Sequence, residues 1–395
     1  MKYTFSNRVN GLKPSTIREI LKYSSDPGMI PLAAGNPSQD AFPTREIAEI
    51  AAAVLSENPV SALQYSVTEG YAPLREKVSS RMKDKYNIGR DFDELLITSG
   101  AQQVMDLAAK SLCNSGDAVI CEEPSFIGSL NTFRSFGVRL IGVPLESDGM
   151  DMRKLETILK TEAKIRFIYT IPNFQNPSGL TMSLEKRKKL YALAGQYSAL
   201  ILEDNPYGDL RAFGEDIPSV KSFDEDGLVI YAGSFSKVLA PGLRVGYAVA
   251  PAEICRKMTV CKQGEDVHTN ILAQIICERF MSNYDFEGHL KKIQKLYRGK
   301  IELAVRLMDE YFGEKIKYGK PDGGLFVWCE LAGEINMQDF CAECLKHGVC
   351  VVPGSAFLTD ETKPCQFFRI NFSAPADKQL EQGIKILGDI AGQFL

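Results

Sequence analysis

The sequence predicts an α/β protein with a mainly parallel central sheet between helices, joined to a smaller α/β unit. Three observations carry this expectation. Seven short runs are rich in Val, Ile and Leu and nearly continuous in hydrophobicity, as strands covered on both faces are. Helical patterns separate several of them, which is how parallel strands are connected. After about residue 280 the pattern changes to a long helical run followed by shorter mixed segments.

Taken in order, the first forty-odd residues hold a helix, "STIREILKYS", and an apolar stretch, "MIPLAAGNPSQDAFP". "ELLITSG" reads as the first strand of the sheet and "AQQVMDLAAKSLC" as the helix after it. "DAVICEEPS", "VRLIGVPL" and "IRFIYTIP" follow as strands, then the helix "LEKRKKLYALAGQYS". "SALILEDNP", "GLVIYAGSFS" and "RVGYAVA" complete the set. Beyond them lie the helical run "DFEGHLKKIQKLYRGKIELAVRLMDEYF", "GGLFVWCEL", the helix "MQDFCAECLKHG" and "FFRINFS". The division expected is a large unit at residues 45–285, with 1–44 and 286–395 forming the smaller one. Neither an internal repeat nor a Pro/Gly-rich linker is present.

Composition excludes several classes. With 395 residues, 45% of them hydrophobic, the chain can bury a large core. A net charge of −4 offers no attraction to nucleic acid or an anionic membrane. No secretory leader and no uncharged apolar run near the ~20 residues of a membrane span is found. Ten scattered cysteines then read as reduced thiols of a cytoplasmic protein. Cys341, Cys344 and His347 share a helix but lack a second pair to close a tetrahedral site, so no metal is expected. Only three histidines exist, which leaves little room for histidine-based catalysis.

In such sheets ligands sit beyond the carboxyl ends of the strands, on loops that here begin near Thr98, Glu122, Pro172, Glu203 and Gly233. At "ITSGAQQ" the N–H groups of Gly100, Ala101 and Gln102 open a helix and suit a phosphate; Ser99 reads equally as an N-cap. "LILEDNPYGDL" puts Glu203 and Asp204 at the end of a buried run, one facing the site and the other away, with Tyr207 three residues on. A cap at Asp204 is the alternative. Asn176 lies in the polar loop "NFQNPSG", and Phe126 in "CEEPSF" is an aromatic face or a core residue. "GSFSKVLAPGLRVGY" sets Lys237, Ser234, Ser236 and Arg244 in the least polar part of the chain. A phosphate cradle, an aromatic face, an amide, an acid and a lysine on successive strand ends match a flat, charged, phosphorylated ring. Pyridoxal 5′-phosphate fits: a lysine amine condenses with its aldehyde and a carboxylate keeps its ring nitrogen protonated.

The ordered set "LAAGNPSQDAFP", "LQYSVTEGYAPLRE", "TSGAQQ", "EEPSF", "NFQNPSG", "EDNPYGDLR", "GSFSKVLAPGLRVGY", "GGLFVWCEL", "VVPGSAF" and "FRINFS" runs almost end to end. It resembles the class I/II aminotransferases of the pyridoxal-phosphate-dependent transferase fold type I, in the 2-aminoadipate, kynurenine and aromatic branch. The resemblance implies that Lys237 forms the Schiff base and Asp204 pairs with the ring nitrogen. It places Tyr207 and Asn176 on the ring's phenolic oxygen and Phe126 on its face, where many relatives have tyrosine. Gly100, Ala101, Gln102, Ser234, Ser236 and Arg244 would hold the phosphate, and Tyr65 would reach the phosphate of a neighbouring subunit in a homodimer. Arg369, with Asn176 and Gly35, would clamp the substrate α-carboxylate, and Arg18 would lie near the substrate side chain.

The reaction so implied is transamination between an L-amino acid (2-aminoadipate, glutamate, aromatic or aliphatic) and a 2-oxo acid such as 2-oxoglutarate. A β-lyase on the same fold shares the chemistry up to the carbanion. A regulator that senses the cofactor without catalysis is the alternative of another class. Such regulators carry a DNA-binding domain ahead of this region, which is not expected because the resemblance begins near residue 10.

Overall fold

The computed structural model describes residues 3–10 and 28–394. Eight strands form the central sheet: β1 (Asp93–Thr98), β2 (Ala118–Glu123), β3 (Arg139–Glu146), β4 (Gly149–Met150), β5 (Ile165–Thr170), β6 (Leu200–Asp204), β7 (Val229–Ser234) and β8 (Gly246–Pro251). Their order is β1-β8-β7-β6-β5-β2-β3-β4. From β3 through β7 the neighbours in that order are parallel. β8 runs against both β7 and β1, and β4 against β3. All seven strands expected from the sequence are present. Only β4, two residues long, was outside the expectation, because so short a segment shows no period.

Side chains of each strand alternate between two covered faces. Phe167, Tyr169 and Leu202 pack on the side of the helices Ala101–Leu112 and Ile127–Ser135. Ile168 and Ile201 pack on the opposite side, against Met152–Thr161 and Leu184–Gln196. The same alternation separates the adjacent acids that end β6. Glu203 turns to Ser219 Oγ (2.6 Å) and to the N–H groups of Val220 and Lys221. Asp204 turns to the other face. Neither caps a helix: the turn that follows, Gly208–Leu210, has no side-chain cap.

From β2 the chain steps outward to β3 and returns to β5 on the other side of β2. The loops leaving β2 and β5 therefore diverge, and a crevice opens at their carboxyl ends. A second sheet roofs it, made of β9 (Ile316–Tyr318), β10 (Phe326–Leu331), β11 (Val352–Pro353) and β12 (Phe367–Asn371) in the antiparallel order β11-β12-β10-β9. The sequence announces β10 and β12; β9 and β11 are too short to register.

The long helix Phe286–Tyr311 serves both sheets. Leu290, Ile293 and Tyr297 join the apolar cluster of the large sheet, while Ile301, Ala304 and Leu307 join that of the small one. Among the described residues no helix is long and apolar enough to cross a membrane. No cluster of three or more His, Cys, Asp or Glu is arranged for a metal there either. Cys341 and Cys344 are free thiols.

Candidate active site

The crevice contains a cavity of about 370 Å³ with Lys237 in its wall. Lys237 follows β7 by three residues, so its side chain emerges at the carboxyl end of the sheet. Its Nζ donates to the Gly35 carbonyl at 2.8 Å. No carboxylate among the described residues pairs with it. Burial, together with the nearby charges of Arg244 and Arg369, pushes the amine down to about 8.

One end of the cavity is cationic. The helix Ala101–Leu112 opens here with Gly100 at its N-cap and no side chain capping its first amides. Those N–H groups carry the positive end of the helix dipole. Ser99 is not the cap, since its Oγ donates to Asp266 Oδ2 at 2.7 Å instead. Gly100 has φ +80°, and a Cβ on it would lie 2.3 Å from Arg244 Nη2. Only glycine lets the guanidinium come this close. Arg244 Nη1 reaches Ser236 Oγ at 3.4 Å and Nη2 the Ser99 carbonyl at 3.2 Å. No described carboxylate neutralises it. Ser234 Oγ accepts from the Ser236 N–H at 3.1 Å.

The floor is acidic. Asp204 is 4% exposed, its Oδ2 accepts from Tyr169 Oη at 2.8 Å, and its Oδ1 has no partner. Burial raises this carboxyl to about 7, with the Tyr169 hydrogen bond opposing the rise. Phe126 stands in the wall, and Gly128 makes room for it: a Cβ there would fall 2.5 Å from Phe126 Cζ.

The end under the second sheet holds Arg369, on β12. Its Nη1 donates to Asn176 Oδ1 at 2.7 Å and its Nη2 to the Ala33 carbonyl at 2.6 Å. Its Nε has no partner, although the residue is 2% exposed. The guanidinium carbon lies 4.2 Å from the Phe326 ring centre and 4.9 Å from that of Phe357. Burial lowers Arg369 to about 10, still charged at neutrality. Tyr207 lines the same cavity; burial pushes its phenol above its ordinary value while Arg369 pulls it down.

Thus Lys237, Asp204, Asn176, Tyr207, Phe126, Gly35, Ala101, Gln102, Ser234, Ser236, Arg244 and Arg369 line one cavity, and Gly100 adjoins it. Tyr65 does not join them: it is 79% exposed, its ring edge-on to His268. Arg18 lies outside the described residues. The sequence reading missed Tyr169, which looked like strand core, and Phe326, which stood inside a recognised motif without a role. Tyr169 shares a sheet face with Asp204, and strand alternation was the signal that could have found it.

The residues fit pyridoxal phosphate on observations of this cavity alone. Two cations lack anionic partners, a helix start lacks its cap, and one buried carboxylate oxygen is orphaned. The phosphate would answer exposed Arg244 and the uncapped helix start, and the protonated ring nitrogen would answer Asp204 Oδ1, whose burial makes an unpaired charge costly; buried Arg369 is left for the carboxylate of an amino-acid substrate.

The comparisons agree. The family model "Aminotransferase class I and II" matches residues 27–387. An aromatic-amino-acid aminotransferase of Thermococcus litoralis is 36% identical, covering 98% of this chain and 93% of that protein. A solved kynurenine aminotransferase of Pyrococcus horikoshii, in complex with PMP, superposes with a TM-score of 0.95 at 35% identity, covering 99% and 97% of the two chains. An α-aminoadipate aminotransferase of Thermus thermophilus, complexed with N-(5′-phosphopyridoxyl)-L-leucine, gives 0.91 at 34%, covering 99% and 97%. This chain belongs to the class I and II aminotransferases, and it is a pyridoxal-phosphate-dependent transaminase of fold type I.

Proposed function

We propose that the enzyme moves the amino group of a broad range of L-amino acids (2-aminoadipate, glutamate, aromatic and aliphatic) to a 2-oxo acid such as 2-oxoglutarate. The observation that carries the reading is the division of labour among three cations in one cavity, Lys237, Arg244 and Arg369, none paired with a described carboxylate. Pyridoxal phosphate, when bound, supplies an electron sink for negative charge developing at the donor Cα. Arg244, Ser234, Ser236 and the amides of Ala101 and Gln102 would hold its phosphate; the Gly100 N–H, expected to share in this, donates instead to the Thr98 carbonyl at 2.8 Å. Asp204 would hold its ring nitrogen, Phe126 its face, and Asn176 and Tyr207 its phenolic oxygen.

Arg369 grips the donor α-carboxylate with its remaining N–H groups, supported by Asn176 and by the backbone at Gly35. That grip would orient the donor Cα–H toward Lys237, which lines the same cavity. Lys237 Nζ, neutral in a fair fraction near pH 8, would take the Cα proton and carry it for return. The wall around the donor side chain includes Phe126, Ile127, Ile171 and Phe326, which suits apolar and aromatic groups. A donor with an acidic side chain would use Arg18.

Further parts of the reading rest on the family resemblance. A homodimer brings Tyr65 to the partner's phosphate, and its exposure beside exposed Leu63 and Val67 supports this. The two sheets with their separate apolar clusters support units at 45–285 and at 1–44 with 286–395. The setting is the cytoplasm.

The test is a spectrum of the purified holoenzyme, in which the cofactor band is bleached by an amino donor and restored by 2-oxoglutarate. A panel of donors should show turnover with acidic, aromatic and aliphatic amino acids; activity confined to one class would refute the breadth. Arg18→Ala should selectively weaken acidic donors, and an unchanged preference would remove Arg18 from the site. Arg369→Lys keeps the charge but loses the planar fork, so kcat/KM should fall about 10- to 100-fold for every donor.

A further inference from the structure

Among the described residues, Asp204 has a single hydrogen-bond donor. Tyr169 Oη donates to its Oδ2 at 2.8 Å, and Tyr169 Oη in turn accepts from Ser129 Oγ at 2.8 Å. Tyr169 and Ser129 are both 0% exposed. The chain Ser129–Tyr169–Asp204 therefore runs from the helix Ile127–Ser135 through β5 to the end of β6, and it stops at a buried oxygen, Asp204 Oδ1, that has no hydrogen-bond partner among the described residues. The other titratable groups acting around it are Glu122 on β2 and Tyr207 in the loop after β6. No cation hydrogen-bonds it.

Packing alone does not call for this hydroxyl. Phe167, two residues earlier on the same face of β5, packs edge-on against Phe133 with a centroid distance of 5.3 Å. Tyr169 does the same at 5.3 Å. A phenyl ring serves the core at one position, while the other carries a hydroxyl directed at a buried carboxylate. Burial and the adjacent Asp204 push the Tyr169 phenol well above its ordinary range, so it stays a neutral donor at any working pH. A donor to a carboxylate favours the charged form. Ser129, by donating to the phenol oxygen, polarises the phenol O–H and strengthens that donation.

A carboxylate facing a pyridine nitrogen shares one proton with it, and the donor on the far oxygen decides which partner keeps that proton. We propose that Tyr169, backed by Ser129, is a positioning residue of this enzyme: its hydroxyl holds Asp204 ionised, with Oδ1 turned into the cavity, so that the shared proton resides on the ring nitrogen of the cofactor. The proposal rests on pyridoxal phosphate occupying this cavity.

Tyr169→Phe and Ser129→Ala test it, each prepared as holoenzyme with 15N-labelled cofactor. For Tyr169→Phe we expect kcat to fall about ten-fold with donor KM within about two-fold, and the cofactor dissociation constant to rise about ten-fold, as for the loss of a hydrogen bond to a charged group. The ring-nitrogen resonance should move toward the unprotonated position. Ser129→Ala should shift the same three readouts in the same direction by about two- to three-fold. A purely structural role would lower the melting temperature of Tyr169→Phe and leave the nitrogen resonance unmoved, which would overturn the proposal. Should Tyr169→Phe fail to fold, the resonance of Ser129→Ala decides alone: unmoved, it overturns the proposal. Failure of the parent protein to take up the cofactor would overturn the cavity assignment and the proposal with it, an outcome distinct from a variant-specific null.

Discussion

Lys237→Ala is expected to lower transamination by at least about 10⁴-fold while the protein still folds and binds pyridoxal phosphate noncovalently. Among the described residues the amine has one hydrogen-bond partner, the Gly35 carbonyl, and two cationic neighbours that discourage its protonation. A lysine in that setting is a base and nucleophile near neutrality; an ordinary surface lysine is neither. No other amine lines the cavity among the described residues, so nothing there replaces it as proton carrier. A coupled assay for oxo acid formation checks this, and near-normal transamination in the variant would remove Lys237 from its role.

The same amine has a cost that depends on pH. With a folded-state value of about 8 against 10.5 for a free lysine, the unfolded chain binds more protons between those limits. Stability of the cofactor-free protein therefore rises with pH across that window, and the penalty is complete below pH 8. Lys237→Met, which keeps bulk and removes charge, should melt above the parent apoprotein at pH 7. The difference should shrink toward pH 10.5. An equal difference at both ends would show that charge is not its origin.

Lys221→Ala is expected to cost about 3–5 kcal/mol of stability without changing kcat/KM of the folded fraction. Lys221 is the opposite case: its side chain is 0% exposed, and its Nζ lies 2.7 Å from Asp93 Oδ1 and 2.8 Å from Asp224 Oδ2. Asp224 also accepts from the N–H groups of Leu228 and Val229, where β7 begins. Removing the ammonium leaves two carboxylates facing each other out of water, and that drives the loss. Urea unfolding of the holoenzyme measures it. Adding Asp93→Asn and Asp224→Asn should recover part of the loss, because the stranded charges are then gone. A loss below about 1 kcal/mol for the single variant would contradict the account.

These two lysines show what could be read from the chain. Lys237 stood out locally, as a cation just after Ser234 and Ser236 in a run of small apolar residues. The strands were legible because each is a dense patch of Val, Ile and Leu, and their loops followed from where the patches end. Lys221 was invisible, since "IPSVKSFDEDG" looks like surface loop and Asp93 is 128 residues away. Tyr169 was hidden for a related reason: a tyrosine in a buried strand passes for core until the neighbouring strand brings Asp204 against it. Ser99 and Asp204 kept a cap reading in the sequence because capping is a matter of one residue's register. That register was settled only by Gly100 at φ +80° and by the continuation of β6 through Asp204. Tyr65 is exposed and outside its own cavity, and the role expected for it belongs to the proposed homodimer.

Arg369 belongs to β12, in the small sheet, yet it hydrogen-bonds Asn176 in the loop after β5 of the large one. In the proposed reading, the donor carboxylate would be gripped from one sheet while Lys237 and Asp204 stand on the other. On that reading, alignment of the donor would be set at a seam, because a tilt of one sheet on the other moves Arg369 relative to Lys237. Because a misplacement of about 1 Å can cost on the order of 100-fold in rate, packing far from the chemistry acts as a tuning element of turnover. The helix Phe286–Tyr311, embedded in both apolar clusters, is the strut that sets the tuning.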